Sequence, residues 1–341
     1  MSHKLTASVI GAGAGGKLSM DALARSDRFE LTAVTDIRPG ALEEISQRYP
    51  GIRTFADHKQ MFRESPTDVV CVSTYAPSHE SITLDALEMS LKGILVEKPL
   101  AATHEAGARI IEAVKRKGIP MTTPHNLLVQ SASKAVISAV REGLIGDLAL
   151  VEIECMGWDI LNAGIHWANF FVALTGNEPI ATVFSAMDRS EQTVRDGLQV
   201  ETAGVTYAQT VSAVRMVIQT GDYVTIPGLS DGTLFRIVGS AGQIRLVAWA
   251  QDYWIQNENY PTGQVITPDS ADTTGHQRHL ENLAEDIAGG TVDYSVSDSS
   301  LMALEICEAA YVSAMHGVQV RLPLAQFIPS AVSDWQLGRP V

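Results

Sequence analysis

Cysteine is scarce in this chain, and its three copies, Cys71, Cys155 and Cys307, are odd in number and far apart. That spacing excludes a disulfide framework and a metal-spaced cysteine pair, and Cys71, inside the apolar run 69–72, is expected to be a buried thiol. Long hydrophobic runs are missing too: none approaches the roughly 18 apolar residues of a membrane span. The first apolar stretch shrinks to Val9-Ile10 before glycines begin, which is too short for a secretory leader, so the cytoplasm is the expected compartment. Cations are in deficit, with 25 Lys plus Arg against 39 Asp plus Glu and a formal net charge of −14. A broad nucleic-acid or anionic-membrane surface needs clustered cations, so neither partner is expected. Internal repeats, low-complexity tracts and long linkers are also lacking.

What remains is an ordinary globular composition, 45% hydrophobic and 19% charged over 341 residues, enough for two domains. The first half alternates strand-like and helix-like segments. Residues 5–10 read as a strand, 17–24 as a helix and 31–35 as a strand. Short units follow at 41–48, 52–55 and 57–63, then a clear strand at 68–73. A helix to about residue 91 leads to the strand 94–96. Thr103 is a plausible N-cap for the next helix, which Lys115, Arg116, Lys117 and Gly118 should end. A last strand is expected at 119–123. Strands alternating with helices predict an α/β, doubly wound parallel sheet.

The first turn of that pattern carries chemistry. Gly11, Gly13 and Gly16 fit G-x-G-x-x-G between a strand and a helix, and Asp36 closes the next strand 20 residues later. Glycines let the backbone approach a pyrophosphate, the helix N-terminus offers free N–H groups, and the acid accepts from ribose hydroxyls. This is a dinucleotide-binding pattern. A P-loop is the rival reading of Gly11 to Lys17, but position 18 is Leu where a Mg²⁺-binding hydroxyl is required. Asp36 should repel a 2′-phosphate and favours NAD. Arg38, able to stack on adenine or pair with that phosphate, keeps NADP possible.

A strand that ends in Glu97-Lys98-Pro99 organises the rest. Pro99 biases Lys98 towards an extended conformation, at the carboxyl end of a sheet strand where ligands of open α/β sheets collect. This tripeptide, the glycine turn with Asp36, and Thr74 followed five residues on by His79 resemble the Gfo/Idh/MocA family. That family comprises glucose–fructose oxidoreductase, inositol dehydrogenase and related proteins. The likeness runs over nearly the whole chain. Asn126 stands 17 residues before Gly143-Leu144-Ile145-Gly146, and the run 304–322 contains Ala310-Tyr311-Val312-Ser313-Ala314.

The resemblance implies a Rossmann domain over 1–124 and an α+β domain over 125–341, the latter for substrate and oligomerisation. It also implies an NAD-dependent oxidoreductase acting on a sugar, polyol or sugar acid, and a homodimer or homotetramer. The dinucleotide set is then Gly11, Gly13, Ala14, Gly15, Gly16, Asp36, Ile37, Arg38, Ser73, Thr74, Tyr75, His79, Glu97, Lys98 and Asn126. Lys98 would contact both nicotinamide and substrate. Downstream, Leu127-Leu128-Val129 depart from the basic and aromatic residues usual there, giving a more apolar wall.

After an expected helix at 133–141 and a strand at 148–155 comes a second informative stretch. If residues 159–166 form a helix, Asp159, Asn162 and His166 share one face. The resembling family has D-x-x-x-H here with the histidine as acid/base; His166 matches, and Asn162 replaces the aspartate. The expected substrate set is Lys98, Asn126, Asp159, Asn162 and His166, with His166, Lys98 and Asn162 carrying catalysis. A histidine titrates near neutrality and suits removal of a carbinol proton. Lys98 would stabilise charge developing on the same oxygen.

From 181 to 265 short β-rich runs predict an open, largely antiparallel sheet, with 239–242 as a turn. Tyr253, Trp254 and Tyr260 are expected to pack or to line an interface. His276 and His279 have metal-ligand spacing, but no third ligand lies nearby. A solvated face or a substrate contact is expected of them, and no metal. The run 334–338 is expected to dock as a surface segment. Two other functions compete: a redox-neutral glycosidase or eliminase that retains its NAD, and a non-enzymatic NAD-binding regulator.

Overall fold

The computed structural model describes residues 4–327 except 189, 192, 196, 271 and 272. The expected tail segment 334–338 lies outside them. In chain order the first elements are β1 (Leu5–Ile10), α1 (Ala14–Arg25), β2 (Phe29–Thr35), α2 (Pro39–Arg48), β3 (Arg53–Phe55) and α3 (His58–Glu64). Then come β4 (Val69–Val72), α4 (His79–Leu87), β5 (Gly93–Val96), α5 (His104–Lys117), β6 (Met121–Thr122) and the single turn α6 (Asn126–Val129). The second half contains α7 (Ser131–Arg141), β7 (Leu148–Met156), α8 (Gly164–Leu174), β8 (Ile180–Met187), β9 (Thr193–Arg195), β10 (Leu198–Val200), β11 (Ala203–Thr210) and β12 (Arg215–Gly221). It closes with β13 (Thr233–Gly239), β14 (Gly242–Val247), β15 (Tyr253–Gln256), β16 (Gln264–Ile266), α9 (Gly275–Gly289), α10 (Ser295–His316) and β17 (Val320–Arg321).

Packing divides the chain into two compact units. One runs to Asn126 and takes in Thr273–Ser300; the other holds the residues between and those from Leu301 on. The sequence pattern places the boundary at 124/125 and assigns 273–300 to the second domain. The return of that segment has a plain cause. The apolar stripe of α9, Leu280, Leu283 and Ala284, is buried in one cluster with Ala7, Val9, Leu23 and Leu95. Gly93 opens the way, since a Cβ there would sit 2.9 Å from the Ile287 side chain.

The first unit contains a six-stranded parallel sheet in the order β3-β2-β1-β4-β5-β6. Strands β4 and β5 are apolar without alternation and buried along their length, as a sheet covered on both faces requires. The order reverses between β1 and β4, which puts the ends of those strands at the topological switch point. The α5 helix follows its sequence signals: the Thr103 hydroxyl accepts from the Ala106 N–H, and Gly118 ends the helix at φ +70°.

The second unit is built on a nine-stranded sheet, β16-β15-β14-β13-β7-β12-β11-β8-β17, antiparallel except for the β7–β12 pair. A β9–β10 hairpin stands apart from it. The α8 helix is buried almost throughout; Phe170 and Trp167 meet Phe235 of β13 edge-to-face, with ring centroids 5.3 and 5.5 Å apart. Among the described residues no helix is long and apolar enough to cross a membrane.

Candidate active site

In the first unit the glycine turn leaves β1 through Gly11, whose N–H donates to the Thr35 carbonyl at 2.7 Å. Gly11 sits at φ +94°, and a Cβ there would meet the Ser73 carbonyl oxygen at 2.5 Å. A Cβ on Gly16 would fall 1.8 Å from the Gly11 oxygen, so only glycine closes this turn. Gly13 is different: a Cβ added there would find no described atom within 4 Å. It is the N-cap of α1, with no side-chain cap and no acid in the first turn among the described residues. Open space over uncapped N–H groups is what a pyrophosphate needs, so the turn fits a dinucleotide.

Asp36 ends β2 and is buried. Its Oδ2 accepts from the Ala12 N–H at 2.8 Å, and Oδ1 from the Arg38 N–H at 2.8 Å. The Arg38 guanidinium adds Nε to Oδ1 and Nη2 to Oδ2, both at 2.9 Å. Burial raises this carboxyl, but the Arg38 and Ala12 donors outweigh it and hold Asp36 below its ordinary value. Arg38 is therefore closed onto the aspartate in this structure. A ribose hydroxyl approaching Asp36 has to share or displace an arginine contact. Ile37 beside it is 86% exposed.

The end of β4 is tied down by His79. This imidazole is completely buried, with Nε2 3.1 Å from the Thr74 carbonyl and Nδ1 3.1 and 3.2 Å from the carbonyls of Pro99 and Leu100. Through these contacts His79 joins the loop after β4 to the segment after β5. Ser73 donates its N–H to Ile10 O at 2.7 Å, whereas Tyr75 faces outward.

Glu97, at the end of β5, is buried against the glycine turn; a Cβ on Gly15 would lie 2.9 Å from its carboxyl carbon. Its Oε1 is 2.6 Å from His276 Nε2, and His276 Nδ1 is 3.0 Å from Asn126 Nδ2. Burial raises the Glu97 carboxyl, and the His276 hydrogen bond, together with the Lys98 charge, brings it below its ordinary value. Asn126 Oδ1 is buried with no hydrogen-bond partner among the described residues. The solvated face expected of His276 and His279 is corrected here: both are buried, because this face of α9 packs on the sheet. Burial pushes His279 down to about 4, and its Nδ1 lies 3.2 Å from the Thr122 hydroxyl.

In the second unit the expected helical stripe is broken. Helix α8 begins only at Gly164, and residues 160–163 form a turn. Asp159 organises that turn: Oδ1 accepts the N–H groups of Leu161 at 3.0 Å and Asn162 at 2.7 Å, and Oδ2 accepts the Asn162 amide at 3.2 Å. Arg195 Nη1 approaches the same oxygen at 3.3 Å. Asp159 is fully buried, and these contacts make it the group that orients the turn carrying Asn162. Asn162 is buried with its amide oriented by Asp159.

Beneath the turn lies a carboxylate that the sequence did not single out. Glu201 Oε1 accepts from the Ile160 N–H and the Thr220 hydroxyl, each at 2.7 Å, and Oε2 from the Tyr311 hydroxyl at 3.0 Å. Burial and the nearby Asp159 charge raise it to about 7. Its only sequence signal is an acid amid a β-rich run. His166 stands in the first turn of α8, its ring edge-on to Trp249 with centroids 5.9 Å apart. Trp249 adopts φ +68°, a conformation that bulky residues rarely take, and is 44% exposed. Among the described residues no group of three His, Cys, Asp or Glu side chains is placed to hold a metal ion.

Residues 5–125 match the oxidoreductase family with the NAD-binding Rossmann fold. Over 330 residues the chain is 24% identical to the rhizopine catabolism protein MocA of Rhizobium meliloti, covering 89% of this chain and 92% of that one. It is also 24% identical over 360 residues to D-apiose dehydrogenase of Paraburkholderia graminis, covering 97% and 93%. Among solved structures, an oxidoreductase from Agrobacterium radiobacter in complex with NAD⁺, L-tartaric acid and magnesium superposes with a TM-score of 0.81. The two are 18% identical over 94% of this chain and 98% of that one. The glycine turn at the switch point, the acid after β2 and this match together identify residues 5–125 as the NAD-binding Rossmann fold of the Gfo/Idh/MocA oxidoreductase family.

Proposed function

We propose that the protein is an NAD-dependent dehydrogenase that oxidises a secondary hydroxyl or hemiacetal of a sugar, polyol or sugar acid. The observation that carries this reading is the glycine turn of the first unit with Glu97 packed beneath it and Lys98 directly following. Relatives of similar length named for D-apiose and rhizopine support a carbohydrate-like substrate. The turn 11–16 would hold the pyrophosphate, and Asp36 the adenine ribose. The Asp36 charge disfavours a 2′-phosphate and so favours NAD over NADP. Exposed Ile37 and Tyr75 offer apolar surface to the planar rings.

Bound nicotinamide supplies the hydride acceptor. The chain's part is to orient the carbinol, to take its proton and to stabilise the oxygen as the C–H bond breaks. His166 takes the proton as general base, which requires its neutral imidazole. Lys98 donates a hydrogen bond to the carbinol oxygen and steadies the charge that develops there. Asn162 orients the substrate and, unlike an aspartate, places no negative charge beside the base. The outward side chains Phe184, Val205 and Val265 suit the homodimer or homotetramer that the family resemblance implies, which sedimentation tests directly.

The function is tested by NADH absorbance with NAD and a panel of aldoses, polyols and sugar acids, in wild type, His166→Ala and Lys98→Ala. Turnover in the wild type should fall by about 100-fold or more in each variant. An active wild type with an equally active His166→Ala would overturn the assignment of the base.

A further inference from the structure

We infer that His276 is a positioning residue for the dinucleotide, holding the Glu97 carboxylate against the first turn of α1 and thereby fixing the turn that meets the pyrophosphate. The inference rests on the proposed NAD-dependent function and adds a residue to it from the far end of the chain. With the Asn126 amide donating into Nδ1 at 3.0 Å, a neutral imidazole carries its proton on Nε2, aimed at Glu97 Oε1 2.6 Å away. Donors therefore run in one direction, from Asn126 through His276 to Glu97.

Glycines stand at both ends of this chain. At one end, a Cβ on Gly275 would lie 2.5 Å from the Asn126 Cβ and Cγ atoms. At the other, a Cβ on Gly15 would lie 2.9 Å from the Glu97 carboxyl carbon and 3.0 Å from Oε1. Backbone thus closes directly on both termini. Any shift of the carboxylate is transmitted to the glycine turn. Packing alone does not account for a buried imidazole here, since an apolar side chain would fill the volume without polar groups to satisfy.

The charge argument points the same way. A buried carboxylate beside the α1 N-terminus competes with phosphate for the same positive end of the helix. The His276 N–H compensates it. Other titratable groups facing Glu97 are Lys98 next in the chain, Cys71 on β4, His79 on α4 and His279 on α9. Cys71, His79 and His279 are buried and uncharged at neutral pH, which leaves His276 and Lys98 as its polar counterparts. Without the imidazole, burial should drive the Glu97 carboxyl upward and couple its protonation to cofactor binding.

The experiment is a fluorescence titration of the full chain with NADH at pH 6 and pH 8, alongside thermal unfolding, for wild type, His276→Ala, His276→Asn and His276→Gln. The Gln amide nitrogen replaces Nε2 and keeps the donor to Glu97. The Asn amide reaches only as far as Nδ1 and keeps the Asn126 side. At pH 8, His276→Ala and His276→Asn should bind NADH about tenfold more weakly, with a smaller loss at pH 6, while His276→Gln stays within about threefold of wild type. If His276→Ala fails to fold, the Asn and Gln variants decide the matter. Equal rescue by Asn and Gln, or full affinity in His276→Ala, would overturn the inference. A wild type that does not bind NADH would overturn the NAD-dependent reading itself, and this inference with it, a result distinct from either of those.

Discussion

Two glutamates, one in each unit, are both buried and both hydrogen-bonded, yet they titrate in opposite directions. Glu97 is held below its ordinary value and Glu201 is raised to about 7. Burial pushes both upward, so the difference comes from their neighbours. Glu97 has the His276 imidazole and Lys98 beside it. Glu201 has only neutral donors, from Thr220, Tyr311 and the Ile160 backbone, and faces the Asp159 carboxylate. Hydrogen bonds from neutral donors thus do not keep a buried carboxyl fully ionised at neutral pH when a like charge stands next to it. The first unit keeps a charge under the glycine turn, and the carboxyl under the turn that carries Asn162 in the second titrates near neutrality.

Breaking the Glu97 side should have the larger effect. Glu97→Gln retains an acceptor for His276 but loses the charge, and should cost about 2 kcal/mol in urea denaturation at pH 7. The sign follows from linkage: a carboxyl lowered in the folded state adds stability above its unfolded value of about 4.5, lost as pH falls below it. The cost of Glu97→Gln should therefore shrink in acid. A cost that does not change between pH 7 and pH 4 would contradict the ionised assignment.

Asp159→Asn sharpens the other side. The oxygen of the new amide can still accept the N–H groups of Leu161 and Asn162, but its NH₂ would face the Asn162 amide and Arg195. A loss of about 1 kcal/mol is expected, from one imperfect buried contact. The more telling readout is the Glu201 titration, followed by carboxyl NMR, which should move down from about 7 once the neighbouring charge is gone. An unmoved Glu201 would mean that burial alone sets its value.

Glu201→Gln should have the smallest effect on stability at pH 7, and one that changes sign. A carboxyl raised in the folded state binds more protons there than when unfolded, between about 4.5 and about 7. Its contribution is complete below that interval and is lost as pH rises through it. The variant should thus be less stable than wild type at pH 5 and as stable or more so at pH 8, by thermal unfolding. Parallel pH curves for the two proteins would contradict the raised value.

The same contrast separates what the sequence makes legible from what it hides. The glycine turn, Asp36 and the parallel sheet are readable because each depends on neighbours within one strand–helix–strand unit. The α+β character of the second unit is readable from its short β runs, though its strand order, with β7 pairing across to β12 and β13, is not. His276 meets Glu97 across 179 residues of chain, and no local pattern reports such a contact. The stripe 159–166 misleads for a physical reason. Its spacing matches a helical period, but Asp159 draws the N–H groups of Leu161 and Asn162 onto its side chain and holds 160–163 in a turn ahead of the helix. Glu201 and Trp249 gain their places only from tertiary neighbours, Asp159 for one and His166 for the other.

The most direct test of the account is a prolonged incubation of the wild type with excess NAD and the carbohydrate panel, following NADH absorbance and substrate consumption together. The account predicts NADH accumulating far beyond the enzyme concentration, one equivalent for each hydroxyl oxidised. Substrate consumed while NADH stays at or below one equivalent per chain would contradict it, and would instead describe a redox-neutral enzyme that keeps its cofactor.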